Sequence, residues 1–288
     1  MLAERGIPLL LKVRYSGAMG SSNIPPLGLE PANRALLTRL HRAFAGPFDL
    51  ADAAVVLDLS RDRVRRLLAY LAARGWLVRV RRGLYAVVPL EAEDPSAWLA
   101  DPWVVASRSF APCYIGGWTA LHHWELTEQL FRTVVVFTAT PVRRSTREIQ
   151  GTSFRLKQVD EQRLFGLSKV WRGRVAVDVS DAERTLVDCF DRPELGGGIR
   201  HVADCLQEWF ERDAGDRVSR LLDDADRLGN RTVFKRLGFV LEARGLGSDD
   251  LLETCRGRMS QGVSPLDPSA AGKGRIVKRW RLRVNARV

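Results

Sequence analysis

This chain of 288 residues predicts a mixed α+β protein in two parts: an N-terminal winged helix-turn-helix, then a larger α/β domain ending in helices and a short basic strand. Three observations carry that expectation. Residues 60–88, SRDRVRRLLAYLAARGWLVRVRRGLYAVV, read as a basic helix, a glycine stop and two alternating strands. An acidic linker with a proline at each end, PLEAEDP at 89–95, follows. Beyond it, strand-like runs such as VVVFTAT alternate with helical periods before four successive helical segments.

Taken in order, residues 1–30 include GAMGSSNIPPLGLEP, whose glycines, serines and prolines predict a flexible leader. Pro31 then opens a helix over 33–45, with Leu36, Leu37, Leu40 and Phe44 on one face, and Gly46-Pro47 breaks it. Asp49 is placed to cap a short helix over 50–57, and Ser60 to cap a third through its hydroxyl. In that third helix Val64, Leu67, Leu68 and Leu71 fall at helical spacing, with Arg61, Arg63, Arg65 and Arg66 on or beside the other faces. Gly75 stops it, and strands at 76–81 and 84–88 meet at Arg82-Gly83. These elements fill 31–90, the expected winged domain.

The second domain spans 93–288. Helices are expected at 102–110, 119–124 and 182–190, and strands at 134–140, 154–159 and 170–179, the last folding into a hairpin at Arg172-Gly173. Residues 199–212, 216–228, 230–245 and 248–260 read as helices. A turn-rich stretch at 265–274 leads to a strand at 279–284. No internal repeat is found.

The composition, 45% apolar and 27% charged, is that of a globular protein. No run of roughly 18 apolar residues is present, so no membrane partner is expected. Together with the lack of a signal-peptide pattern, this gives a cytoplasmic reading. Cys113, Cys189, Cys205 and Cys255 form no C-x-x-C pair and read as buried free thiols. The net charge of +11 is concentrated: residues 31–90 hold 11 Arg against 4 Asp, and residues 273–288 hold seven basic residues and no acid. Charge gathered in this way points to a docking face for a polyanion.

The recognition helix of a helix-turn-helix puts its N-terminal side chains at base edges in the major groove. Arg61, Asp62, Arg65 and Arg66 take that place here, Ser60 and Arg63 belong to the same DNA-binding helix, and Arg79, Arg81 and Arg82 on the wing would meet phosphate or a minor groove. The arginine fork can grip guanine O6 and N7 together. Double-stranded DNA is thus the expected partner.

Other motifs admit competing readings. Ser180 and Glu183 fit a capping box ahead of the 182–190 helix. Asp178, Asp181, Glu183 and Asp188 also form a carboxylate cluster that a nucleic-acid-processing or toxin-modifying enzyme could use, though no E-x-K stands nearby. Gly196-Gly197-Gly198 precedes a helix but lacks the lysine and hydroxyl of a P-loop, and reads as a flexible turn. Alternation at Arg279, Arg281 and Arg283 with Trp280, Leu282 and Val284 gives a strand with one basic face. With Lys278 that face is either a solvated edge or a second basic surface, which Arg231, Lys235 and Arg236 would extend. No residue is assigned to catalysis, a metal or a cofactor.

Three segments together resemble the AbiEi family, the antitoxins of abortive-infection, type IV toxin–antitoxin systems. They are GWLVRVRRGLYAVVP; CYIGGWTALHHWELTEQ with VVVFTAT after it; and VSDAERTLVDCFDRPELGGG, supported by KRLGFVLEARG and RWRLRVN. The resemblance spans roughly 31–288. It implies a winged-helix domain that represses the antitoxin's own promoter at inverted repeats. It also implies an α/β domain needed to neutralise a nucleotidyltransferase toxin without a stable complex. By position, the helix from Ser60 and the wing at Arg79, Arg81 and Arg82 would be the operator contacts, and no catalytic residue is implied.

Overall fold

The computed structural model describes residues 29–89, 91–94, 97–212, 215 and 217–288. Among them it is a mixed α+β fold with ten α-helices and three sheets. The expected leader lies outside the described residues except for its last two, which belong to the folded part. Leu29 is buried in the first hydrophobic core, and Glu30 is the N-cap of the first helix.

The first unit runs α1 (Pro31–Ala43), β1 (Phe48–Asp49), α2 (Leu50–Leu57), α3 (Arg61–Ala73), β2 (Leu77–Arg81) and β3 (Leu84–Val87). Asp49 caps α2 as its spacing predicts: its Oδ1 accepts from the Ala51 and Asp52 amides, and Asp52 reaches back to the Asp49 amide. Ser60 occupies the N-cap of α3, but its side chain makes no capping hydrogen bond, which corrects the expected role of its hydroxyl. Gly75 closes α3 at φ 76°, and the Trp76 amide reaches back to the Leu71 carbonyl at 3.0 Å. Arg82 and Gly83 turn the β2–β3 hairpin, and β1 pairs with β3 to complete a three-stranded antiparallel sheet.

Both faces of that hairpin are covered near its base. Leu77 and Tyr85 point into the core formed with α1, α2 and α3, while Val80, Leu84 and Ala86 point into the core of the second unit. Strand alternation thus makes the hairpin a shared layer between the two units. Gly46 adds a close approach: a Cβ there would lie 2.8 Å from Val104. Arg108 reaches across to the α2 cap, pairing with Asp52 and, at 3.8 Å, with Asp49.

The second unit begins α4 (Pro102–Ser109), β4 (Cys113–Ile115), α5 (Gly117–His123), β5 (Thr133–Thr138), β6 (Thr146–Ile149), β7 (Thr152–Gln158), β8 (Leu167–Arg172) and β9 (Val175–Ser180). Its six-stranded sheet has the order β6-β7-β5-β4-β9-β8. It is mixed: β5–β7 and β4–β9 are parallel and the remaining pairs antiparallel. The unbroken apolar run in β5 follows from burial on both sides. Val134 and Val136 face the hairpin and α4, whereas Val135 and Phe137 face Tyr114 and Leu195.

Five helices follow: α6 (Ala182–Asp191), α7 (Ile199–Glu211), α8 (Arg217–Leu228), α9 (Thr232–Arg244) and α10 (Asp249–Arg258). They enclose the largest core, built around Leu186, Phe190, Leu206, Trp209, Phe234 and Leu237. A small sheet of β10 (Ser264–Pro265), β11 (Arg275–Val277) and β12 (Leu282–Val284) closes the chain. The expected single strand at 279–284 is corrected here. Residues Lys278–Trp280 form a 3₁₀ turn, and Arg281 takes φ 50°, which breaks the alternation. Trp280 therefore turns inward onto Gly238 of α9. All four cysteines are free, with Cys189, Cys205 and Cys255 buried and Cys113 half-buried.

Candidate nucleic-acid interface

Helix α3 divides cleanly. Val64, Leu67, Leu68 and Leu71 are buried, and Arg61, Arg63, Arg65 and Arg66 are exposed on the other side. On the hairpin, Arg79, Arg81 and Arg82 are exposed. Of these seven arginines only Arg65 makes an ion pair among the described residues, with Asp62 at 3.1 Å and both side chains largely in solvent. An exposed i,i+3 pair of that kind holds an arginine only weakly. The face therefore presents guanidinium groups free to meet an anion.

Elsewhere several expected sites are taken up by structure. Asp181, not Ser180, is the N-cap of α6, accepting from the Arg184 amide at 2.8 Å. The capping-box reading is off by one residue because Ser180 still pairs within β9, its hydroxyl bonding Thr185 Oγ1 at 2.7 Å. Glu183 is buried and accepts from Trp209 Nε1 at 3.0 Å and Arg217 Nε at 2.5 Å. Asp178 pairs with Lys169 at 2.7 Å, and Asp188 with Arg184 at 2.9 Å. The four carboxylates thus each have separate partners, and no group of His, Cys, Asp and Glu suited to a metal is found among the described residues.

The second basic surface is also redrawn. Lys235 is fully buried, its Nζ donating to the Gly262 carbonyl at 2.9 Å and to Ser264 Oγ at 3.1 Å. Arg236 is buried too, donating to the carbonyls of Phe190 at 2.7 Å, Asp191 at 3.0 Å and Pro265 at 3.2 Å. Both cations anchor the small C-terminal sheet to α9 and neither belongs to a surface. Lys278, Arg279 and Arg283 are exposed and Arg281 is half-buried. Arg279 pairs with Glu242 near the far end of α9 from exposed Arg231. Arg231 stands eleven residues before Glu242, roughly 16 Å along the helix axis, and so well away from Arg279.

The triple glycine is shaped rather than loose. Gly197 and Gly198 sit at φ 87° and 93°, and a Cβ on Gly196 would lie 2.6 Å from Val202. The N-terminus of α7 that it opens is occupied by Asp267, whose Oδ2 accepts from the Ile199 amide at 3.0 Å. A carboxylate of the chain itself fills the place an anion would take.

On α8, near Asp181, the Asp224 carboxyl titrates unusually. Burial, reinforced by Asp181, pushes Asp224 up to about 6. Because the folded state holds this proton more tightly than the unfolded chain, the group favours folding below the ordinary aspartate range. That advantage is lost as pH rises through about 6. Asp224→Asn is expected to leave the urea midpoint unchanged near pH 4 and to raise it at pH 7–8. An equal change at both pH values would show that the carboxyl charge is not the cause.

The described residues therefore define a mixed α+β protein with a basic helix-and-hairpin face and no helix long and apolar enough to cross a membrane. Over nearly its whole length the fold is similar to that of the Rv2827c protein from Mycobacterium tuberculosis, known from a crystal structure. The TM-score is 0.59 and the identity 16%, covering 92% of this chain and 95% of that one. No protein-family model matches the sequence, and no curated protein matches it either.

Proposed function

We propose that this protein is an antitoxin of the AbiEi kind that binds duplex DNA through a winged helix-turn-helix over residues 31–90. In this reading it represses its own promoter at inverted repeats and neutralises a nucleotidyltransferase toxin without forming a stable complex. The observation that carries the DNA-binding half is the outer face of α3. Four exposed arginines there lie on a glycine-stopped helix whose inner face is wholly buried, and a hairpin with three more exposed arginines follows. Such a helix fits the major groove, and the hairpin fits the flanking backbone. The antitoxin half rests on the three sequence segments that resemble the family. No catalytic step is assigned to the second unit.

The test is a footprint on the DNA upstream of the protein's own gene in about 150 mM salt. Paired half-sites should be protected. Arg65→Ala should weaken operator binding by about 1–3 kcal/mol while leaving random-sequence DNA nearly unaffected, as expected when a bidentate base contact is lost. Equal weakening on both DNAs would make Arg65 a backbone contact, and absence of paired protection would remove the repressor reading. Co-expression with the adjacent toxin reads out neutralisation separately, and Arg65→Ala should retain it.

A further inference from the structure

A cleft of about 400 Å³ lies between the β2–β3 hairpin and the edge of the six-stranded sheet. Arg81 of the hairpin forms part of one wall, and Arg143, Arg144 and Arg147 line it from the second unit. The register explains Arg147. It stands opposite Phe154, whose ring belongs to the core facing the hairpin, so strand alternation directs both to that side. Glu148 is the single carboxylate among these four arginines, and none of the four makes an ion pair among the described residues. At the C-terminal end of α4, Ser109 also lines the cleft. Its Oγ is shielded from solvent and has no hydrogen-bonding partner among the described residues.

A basic cleft with an unpartnered hydroxyl is built for an oxyanion. Guanidinium groups supply charge and paired donors, and a serine hydroxyl completes the coordination of a phosphate oxygen. Arg81 decides which anion. It adjoins Arg82 at the hairpin turn, on the element that the proposed function lays against DNA, so a duplex touching that turn passes the mouth of the cleft. We infer that this cleft seats one backbone phosphate of the bound duplex, gripped jointly by the hairpin (Arg81) and the second unit (Arg143, Arg144, Arg147 and Ser109). The inference rests on the DNA-binding reading and adds a contact outside the winged unit. One phosphate then ties both units to the DNA, and the second unit extends the bound site on the hairpin side.

The experiment is fluorescence anisotropy of the full chain on its footprinted operator across a series of salt concentrations. Arg143→Ala/Arg144→Ala should make the slope of log affinity against log salt shallower by about 0.9, the value of one phosphate. The operator-to-random affinity ratio should stay at the wild-type value, because a phosphate contact carries no sequence information. Ser109→Ala should raise the Kd about two- to tenfold. It should leave the thermal midpoint of the free protein unchanged or higher, since the hydroxyl satisfies nothing in the fold. A wild-type slope in the double variant overturns the seat even where Arg65→Ala still lowers operator preference, and in that case the DNA reading stands alone. Failure of the wild-type chain to bind its operator overturns both.

Discussion

Arg184→Met should lower the free energy of unfolding by about 3–5 kcal/mol, the cost of leaving one member of a buried ion pair without its partner. Arg184 is fully buried, and so, within 2%, is Asp188. Its NH2 donates to Asp188 Oδ1 at 2.9 Å and to the Tyr114 hydroxyl at 3.1 Å, while Tyr114 donates to Asp188 Oδ2 at 2.9 Å. Burial works against each charge. It pushes the Asp188 carboxyl and the Tyr114 hydroxyl up, and for Arg184 the pull of Asp188 and Tyr114 outweighs it and keeps the guanidinium charged. With Arg184 gone, the Asp188 carboxylate keeps one hydrogen-bond donor and no cation. It must then protonate or draw in water, and the β4–α6 contact loosens.

The triad is not an optimised stabiliser. Arg184 Nε and NH1 have no hydrogen-bonding partner among the described residues, and the guanidinium carbon instead lies 4.0 Å from the Phe165 ring centre. Replacing all three members with apolar residues, Arg184→Met, Asp188→Leu and Tyr114→Phe, should therefore restore most of the loss, as expected where desolvation offsets the Coulombic gain. Urea unfolding of the single and triple variants measures both. A triple variant as unstable as the single one would mean that shape, not charge, governs this site.

Neither the triad nor the cleft was legible in the sequence, and the reasons differ. Arg184 and Asp188 sit i,i+4 on one helix, a spacing that ordinarily marks a solvated surface pair. What sinks them is that α6 is buried on every side, its whole length packed beneath the sheet and the other helices. Tyr114, from a three-residue strand too short to show alternation, completes the set. The same blindness misplaced Lys235 and Arg236. Their partners are mostly backbone carbonyls, with the Ser264 hydroxyl, and carbonyls leave no mark in composition. The cleft shows a different failure. PVRRSTREI carries three arginines in five residues and could have been noted as a basic segment, but the polar edge strand β6 has no apolar rhythm to announce it. Pairing with the hairpin side of the sheet is a tertiary fact.

What could be read was local periodicity. Helices α7 to α10 lie within a few residues of their expected bounds, α7 and α8 because each has a strong apolar stripe, α9 and α10 because Gly245 stops one and Ser248 caps the other. The α2 cap, the Gly75 stop and the Arg82-Gly83 turn also stand where their residue chemistry placed them. The α6 cap missed by one residue because serine and aspartate are both good caps. The antiparallel pairing of β8 with β9 carries the strand through Ser180, opposite Leu167, and passes the role to Asp181.

Gly238 and Trp280 give the other large effect, with a change of sign. A Cβ at 238 would lie 2.1 Å from the Trp280 ring, which is fully buried, donates from Nε1 to Glu242 Oε2 at 2.6 Å and is covered by Arg256 at 5.6 Å. The ring has nowhere to retreat. Gly238→Ala should therefore destabilise by about 1–3 kcal/mol or more through overpacking, despite the roughly 1 kcal/mol that alanine gains over glycine in a helix. Trp280→Ala should cost about 3–5 kcal/mol by emptying the site. In the Trp280→Ala background the clash is gone, so adding Gly238→Ala should become neutral or stabilising by up to about 1 kcal/mol. A double-mutant cycle on urea midpoints reads the coupling directly. Additive effects would mean that Gly238 is required by the helix itself and not by the tryptophan. The predicted coupling would instead make this one contact the seat of the C-terminal segment. The 3₁₀ turn at Lys278–Trp280 and the break at Arg281 then follow from the need to drive the indole onto α9, a demand that overrides the alternating pattern written in RWRLRV.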